Sequence, residues 1–218
     1  MPQRTPLSPE RIIEAAARVA DAAGLAGVSM RSVGRELGVE AMSLYHHVAG
    51  KEELLDGLAD WVFAQVDLPA PESPWRTGME ERARSARRVL AAHPWGLGLI
   101  ESRRSPGPAT LRHHDAVLGC LRSASFSVAL AASAFSVIDA YVYGFVLTEV
   151  NLPFKPGEAA EDFVAGLGLI AAEYPHLAEM VAEQVTGRSY SYGDEFEHGL
   201  ALVLDGLQIR FGAERPGR

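Results

Sequence analysis

The polar residues best placed to contact another molecule lie in one short segment near the start of the chain. Residues 29–48 read SMRSVGRELGVEAMSLYHHV, in which two short apolar patterns are separated by a turn at Gly38. If the apolar side chains face inward, the second pattern turns five others outward, namely Met42, Ser43, Tyr45, His46 and His47. A hydroxyl, a phenol and two imidazoles on so short a helix are suited to hydrogen bonding with bases and phosphates.

This spacing is typical of a helix-turn-helix motif. Two short helices joined by a Gly-containing turn of about three residues form that motif, and its second helix fits the major groove of DNA. Ser43 could hydrogen-bond to base edges, and Met42 could contact a thymine methyl. Tyr45 and Lys51 suit phosphate oxygens, which position a protein without specifying sequence. Helical hairpins also occur in proteins that never bind nucleic acid, so the pattern alone leaves both interpretations open.

Helical periodicity extends over nearly the whole chain and predicts an all-α protein. In the N-terminal part, Ser8 and Ser29 are predicted N-caps of the first two helices, and Gly24 and Gly38 are their predicted stops. Further helices of this part are expected over 42–48 and 52–66.

A proline-rich segment divides the chain. Residues 67–74 read DLPAPESP, and prolines at this density are incompatible with a helix interior. We therefore expect an N-terminal three-helix DNA-binding domain with a helix-turn-helix over 1–66 and a larger helical domain over 67–218. In the larger domain, periodicity predicts helices over 76–92, 94–101, 109–123, 127–150, 159–172, 176–186 and 194–211.

The charge is unevenly distributed. The chain of 218 residues has a formal net charge of −8, which argues against a nucleic-acid partner for most of its surface. Residues 1–51, however, carry six Lys or Arg and five Asp or Glu, whereas residues 52–66 carry four acids and no base. Only the first segment can therefore approach phosphate without strong repulsion.

Other features of the composition restrict location and chemistry. The single cysteine, Cys120, excludes a disulfide framework within the chain and is expected to be a buried small hydrophobe. No apolar run approaches the ~20 residues needed to span a bilayer, and the polar, Pro-rich start has no signal core. We expect a cytoplasmic protein without a membrane partner.

Motifs of common enzymes and metal sites are absent from the sequence. It contains no GxSxG, phosphate loop, HExxH or CxxC, so we expect neither an enzyme nor a bound cofactor. His46 and His47 are adjacent and cannot share a helix face, and the run at 113–115, His-His-Asp, lacks the spacing of helical ligands. No metal site is expected.

The run from Ser8 to Trp61 resembles the DNA-binding domain of the tetracycline-repressor (TetR) family of bacterial regulators. The matching segments are the apolar first helix ending at Gly24, then VSMRSVGRELGV, then SLYHHVAGKEELLDGLADW. Gly34, where the family usually has Ala, and Met42, where Pro or Gly is frequent, depart from the pattern and affect base preference more than fold. The resemblance implies operator contacts by Arg31, Met42, Ser43, Tyr45, His46, His47 and Lys51.

Two helices of the larger domain have narrow apolar seams. In 127–150 and 194–211, apolar side chains recur at spacings of three and four, which suits either the core of a monomer or a dimer interface. Because one helix-turn-helix reads only a few base pairs, we expect a homodimer that doubles the contacts across a palindrome. FEHGLALVLDGL also resembles the last helix of the family's regulatory domain, which pairs across the dimer axis. The predicted interface residues are Phe135, Ile138, Val142, Phe196, Leu200, Val203 and Leu207.

Amphipathic side chains of the larger domain are candidates for a small-molecule pocket, with ordinary core or interface packing as the alternative. Asp139 lies in a strongly apolar stretch, where a carboxylate is costly unless paired. It is expected to face the dimer interface, a pocket, or an arginine from 82–88. The predicted lining residues are His93, Trp95, Tyr141, Tyr143 and Asp139.

The arginines of the first helix after the linker have a simpler interpretation. They are expected on a solvated helix face, paired with Glu80 and Glu81. The four residues are Arg82, Arg84, Arg87 and Arg88.

The resemblance implies a ligand-responsive transcriptional regulator, a repressor that binds a palindromic double-stranded DNA operator as a homodimer and is released by a small-molecule effector. The founding member holds a tetracycline–magnesium complex through a histidine that has no counterpart here, so that ligand is not expected. The alternative function is a helical ligand-binding or protein-interaction module without DNA binding.

Overall fold

The computed structural model describes residues 6–70, 72–100, 102–153, 160, 164–165, 171–188 and 190–214. These residues contain helices and no strand, which confirms the predicted all-α class. Two short 3₁₀ segments, Pro94–Gly98 and Tyr192–Asp194, lie between helices. The helices are α1 (Pro9–Gly27), α2 (Met30–Leu37), α3 (Ala41–Leu44), α4 (Lys51–Gln65), α5 (Trp75–Ala92), α6 (Pro108–Ser123), α7 (Val128–Val150), α8 (Pro175–Gln184) and α9 (Glu195–Glu214).

Serine side chains begin the first two helices, as their positions in the sequence predict. The Ser8 hydroxyl accepts a hydrogen bond from the backbone N–H of Arg11 at 3.4 Å. Ser29 and Ser32 form a reciprocal capping box, in which each hydroxyl accepts from the other residue's backbone N–H at 3.1 and 2.9 Å. Such caps satisfy backbone donors that the helix itself leaves unpaired.

Two glycines have the left-handed backbone that their predicted roles require. Gly38 ends α2 with φ 67°, a conformation that costs a glycine little. Gly24 has φ 64° and is not helical, but the helix resumes after it and extends to Gly27. The predicted stop at Gly24 is therefore a kink within α1.

Three predicted helices differ from the structure. The helix expected over 42–48 is only Ala41–Leu44, and the chain continues in turns in which Val48 N–H donates to the Leu44 carbonyl at 3.0 Å. The helix expected over 94–101 is the shorter 3₁₀ segment. The helix expected over 159–172 falls almost entirely outside the described residues.

The first four helices pack around a small apolar core, in which α1 contacts α2 and α4 while α2 contacts α3. Gly34 lets α2 approach the start of α3: a Cβ there would lie 3.0 Å from the Val39 carbonyl oxygen and 3.2 Å from the Ala41 nitrogen. This close approach explains the glycine where the family usually has Ala. The fully buried side chains of this core include Ile12, Ala16, Val33, Leu44, Leu54 and Leu58.

The C-terminal part is organised around α7, which contacts α5, α6 and α9. This helix has 23 residues and is long and apolar enough to cross a membrane by length and composition alone. The expectation that no apolar run has that length is thus wrong for α7. Its contacts with three other helices make it the central helix of a folded core.

Four of the predicted dimer-interface residues belong to this core. Ile138, Val142, Phe196 and Leu200 are at most 1% exposed within a single chain, and Leu207 is also buried. A side chain already removed from solvent has no surface left for a second chain, so the prediction is wrong for these residues. Helical periodicity identified the stripe that each helix buries, and that stripe faces the protein's own core. Phe135 and Val203 are half-buried.

The acidic residues of α4 join the two parts of the chain. The guanidinium of Arg103 contacts Glu52 at 2.8 Å and Asp56 at 2.5 Å. Asp60 accepts hydrogen bonds from the backbone N–H of Thr110 at 2.7 Å and from its hydroxyl at 3.0 Å. Thr110 lies in the first turn of α6, so Asp60 caps that helix from another element.

We predict that Asp60→Ala lowers the free energy of unfolding by about 0.5–2 kcal/mol, the usual cost of losing a helix cap. Urea unfolding followed by circular dichroism measures the change. Asp67→Ala is the matched control, because Asp67 pairs with Arg88 at an exposed site, where we expect a change within about 0.5 kcal/mol. Equal effects of the two substitutions would contradict the capping role of Asp60.

Candidate functional site

The exposed surface of the helix-turn-helix contains the residues predicted to contact DNA. Leu44 and Val48 are buried and anchor the segment. Tyr45, His46 and His47, which lie between them, are exposed, and Met42 is among the most exposed apolar side chains described. Lys51 is exposed at the start of α4. The segment is thus held by its apolar residues and presents its polar ones to solvent.

A groove of about 750 Å³ lies between α2 and the start of α3. It brings Arg31 together with Ser43, two residues that the resemblance assigned to operator contacts. Arg35 and Glu40 also line it and were not predicted, although Arg35 lies one helical turn after Arg31 and so shares its face. The lining residues are Arg31, Arg35, Gly38, Val39, Glu40, Ala41 and Ser43.

Electrostatics favour a negatively charged partner in this groove. Among the described residues, Arg31 and Arg35 have no carboxylate within ion-pair distance, whereas the nearby Glu36 is paired with Arg18 at 2.7 Å. Two unpaired guanidinium groups and a hydroxyl can donate to phosphate oxygens or to guanine O6 and N7. The arrangement therefore suits the edge of a nucleic-acid duplex.

A second polar cluster is buried where α5, α6 and α7 meet. Arg82, His113 and Asp139 are 1%, 1% and 4% exposed. The guanidinium of Arg82 forms an ion pair with Asp139, and its Nε–H donates to His113 Nε2 at 3.0 Å. Tyr143 donates from its hydroxyl to Asp139 Oδ2 at 3.1 Å. We call Arg82, His113, Asp139 and Tyr143 the buried cluster.

The buried cluster decides between the partners expected for Asp139. Of the interface, the pocket and an arginine from 82–88, the structure shows the arginine. Arg82 is consequently not on the solvated face where it was expected. Arg84 and Arg88 are on that face, where they pair with Glu197 at 2.7 Å and Asp67 at 3.1 Å.

His113 is held neutral by its surroundings. Burial and, to a smaller extent, the charge of Arg82 lower the pKa of His113 from 6.5 to about 3. An arginine can only donate hydrogen bonds, so His113 Nε2 must be the unprotonated nitrogen and Nδ1 must carry the proton. That Nδ1 is buried and has no hydrogen-bond partner among the described residues.

Aromatic rings from three helices surround this imidazole. The ring of Phe63 in α4 lies 5.0 Å from that of His113 and 5.5 Å from that of His114. Phe135 in α7 lies 5.0 Å from His114, and the Arg82 guanidinium lies 5.9 Å from the centre of the Phe135 ring. Polar groups placed among apolar and aromatic walls between helices are typical of a small-molecule site.

The structure does not bring together the five predicted ligand residues. Asp139 and Tyr143 are in the buried cluster. His93 and Trp95 both contact Asp21 Oδ1 of α1 at 2.7 Å, so they lie at the junction of the two parts of the chain. Tyr141 donates to the Phe196 carbonyl at 2.8 Å and joins α7 to α9. The sequence prediction missed His113 and His114 because nothing in the local pattern pointed to their partners.

We predict that Asp139→Ala, which leaves the Arg82 charge buried and unpaired, lowers the free energy of unfolding by about 3–5 kcal/mol. The double variant Arg82→Met/Asp139→Leu removes both charges and is expected to recover most of that loss. Urea unfolding provides the measurement. Glu197→Ala, which breaks an exposed Arg84 pair, is the control and should change the value by less than about 1 kcal/mol. A double variant no more stable than Asp139→Ala would contradict the importance of the unpaired charge.

Comparisons with known proteins agree with this geometry. The family model described as "Bacterial regulatory proteins, tetR family" matches residues 12–58, and "Tetracyclin repressor-like, C-terminal domain" matches residues 68–211. The HTH-type transcriptional repressor DrrR1 of Streptomyces coeruleorubidus is 32% identical over 231 residues, covering 98% of this chain and 83% of the relative. The tetracycline repressor protein class A from transposon 1721 of Escherichia coli is 31% identical over 210 residues, covering 94% and 93%.

Solved structures show the same fold. Apo ActR from Streptomyces coelicolor has a TM-score of 0.81 and 29% identity, covering 97% of this chain and 99% of ActR. ActR in complex with actinorhodin also has a TM-score of 0.81 and 29% identity, covering 97% and 100%. The similarity thus extends over both parts of the chain.

Proposed function

The chain belongs to the TetR family of bacterial transcriptional regulators, and from that premise we propose that it is a repressor which binds a palindromic operator as a homodimer and leaves it when a small molecule binds. We divide it into a DNA-binding domain, 1–66, and an effector-binding and dimerisation domain, 67–218. It acts in the cytoplasm and catalyses no reaction.

The groove beside α3 is the observation that carries the DNA-binding part of the proposal. Arg31, Arg35 and Ser43 line it together, and they supply donors for guanine or phosphate. Lys51 and Tyr45 lie exposed after it and suit the phosphate backbone. A protein-interaction module without DNA binding would have no evident use for two arginines that face one groove without a described carboxylate partner.

The dimer uses the outer faces of α7 and α9. On α9, Leu202 and Ile209 are 75% and 73% exposed, and Gly206 lies between them with open space where a Cβ would be. On α7, Val137 and Leu147 are also exposed. Because α7 packs against α9, these residues give a two-helix apolar surface, which monomers rarely leave uncovered. The two predicted helices are kept, but the contacting residues move to their outer faces.

Release of the operator depends on α4. This helix begins at Lys51, beside the DNA-binding surface, and carries Phe63 to the rings of His113 and His114. A compound that binds among these rings favours a different position of α4, and it can shift the equilibrium only by its differential affinity, about 1–3 kcal/mol for each site. The complex of the similar ActR with actinorhodin supports a small-molecule effector.

We predict different effects of lysine and arginine substitutions on operator binding. Lys51→Ala should weaken binding to all sequences and reduce the salt slope by about one, whereas Arg31→Ala or Arg35→Ala should cost about 1–3 kcal/mol and relax base preference. Fluorescence anisotropy on a duplex with half-site centres about 34–36 Å apart measures both. Arg112→Ala, an exposed position on α6, is the control of equal charge change. An unchanged affinity of all three groove and lysine variants would refute this interface.

We predict that Leu202→Glu converts the dimer to monomers and weakens operator binding at least about tenfold, without unfolding the chain. The side chain is exposed in one protomer, so a charge is costly only where a second copy covers it. Sedimentation velocity and operator titration provide the measurements. Leu111→Glu, at another exposed leucine, should leave both unchanged. A dimeric Leu202→Glu protein with full operator affinity would show that α9 lies outside the interface.

A further inference from the structure

His113 has one hydrogen bond too few for its position. Its Nε2 is engaged by Arg82, but its Nδ1 is buried without a partner among the described residues. A buried donor left unpaired costs about 1–3 kcal/mol. Such a group is retained where it serves a ligand more readily than where it serves folding alone.

The hydrogen-bonding role of this nitrogen is fixed by Arg82. Because the guanidinium can only donate, Nε2 accepts and the proton of the neutral ring is on Nδ1. His113 therefore offers a donor and cannot offer an acceptor there. A group that completes its hydrogen bonding must bring an oxygen or nitrogen with a free lone pair.

We propose that the effector is a planar aromatic compound with a carbonyl oxygen that accepts the hydrogen bond of His113 Nδ1–H. This inference rests on the proposed function, since it names the chemical class of the molecule that releases the operator. The rings of Phe63, His114 and Phe135 stack against the aromatic part. His113 is a specificity-determining residue, because a compound without the carbonyl would leave its donor unpaired.

The space at this position explains how binding is linked to α4. Phe63 also lines a cavity of about 20 Å³ together with Thr110, which lies one turn before His113 in α6. That volume accommodates about one water molecule, so a tricyclic ring system enters only if α4 moves away from α6. Asp60 of α4 holds Thr110 through two hydrogen bonds, and those bonds oppose the movement. Binding and displacement of α4 are thus one event.

The test uses matched compounds that differ only in the carbonyl group. Fluorenone and fluorene form one pair, and xanthone and xanthene form the other; calorimetric titration of the full-length protein measures each dissociation constant. We expect the ketone of at least one pair to bind about 10- to 1,000-fold more tightly than its hydrocarbon or ether partner, as for a site built around one hydrogen bond. Equal affinities within both pairs, or no binding by any of the four, would overturn the proposal.

Two further measurements assign that preference to His113. In His113→Phe, the preference should fall to less than about threefold, whereas His176→Phe, at an exposed histidine, should retain it. If His113→Phe does not fold, nitrogen NMR of the wild-type protein with labelled histidine answers the same question. We expect the free protein to hold the proton on Nδ1 and the ketone to shift that resonance. A proton on Nε2, or a ketone that leaves the resonance unchanged, would overturn the assignment.

Operator binding separates this inference from the proposed function. A ketone that binds through His113 and also releases the operator supports both. A ketone that binds through His113 without release supports the site and contradicts its role in regulation. Release by a compound whose affinity does not depend on His113 contradicts the site and leaves the repressor function intact.

Discussion

The rest of the C-terminal part depends on the buried ion pair of Arg82 and Asp139. A carboxylate in the middle of the most apolar helix destabilises the fold unless a cation reaches it, and Arg82 does so from α5. The remaining donors of that guanidinium then require acceptors, and His113 of α6 provides one. The relative positions of α5, α6 and α7 are therefore fixed by one charge pair as well as by apolar contact. This fixed arrangement gives His113 its single protonated nitrogen.

Charge also separates the two tasks of the chain. The acids of α4 are turned toward Arg103 and Thr110 of the C-terminal part, and Glu36 is held by Arg18. Arg31 and Arg35 are left facing a groove without a described carboxylate partner. An acidic protein can approach DNA in this way, because its carboxylates near the operator are already engaged by its own cations.

Sequence predicted those features that depend on neighbours along the chain. The caps at Ser8 and Ser29, the turn at Gly38 and the exposed positions around Ser43 follow from spacing of a few residues, and the structure has them. For Asp139, spacing left a second chain, a ligand and an arginine from 82–88 as possible partners, and choosing Arg82 required knowing which face of α5 meets α7. His113 was missed for the same reason, since its partner lies 31 residues away.

The dimer interface shows a second limit of sequence patterns. Periodicity found the stripe of α9 that contains Phe196, Leu200 and Leu204, which is the most regular apolar pattern and is fully buried in one chain. The outer face of the same helix, with Leu202 and Ile209 around Gly206, has fewer and smaller apolar groups because it must tolerate water before a second copy covers it. A helix that serves both a core and an interface therefore needs two apolar faces, and a moment along one direction largely cancels. Helices that are apolar on opposite sides yet partly exposed are for that reason better indicators of a dimer than helices with one regular seam.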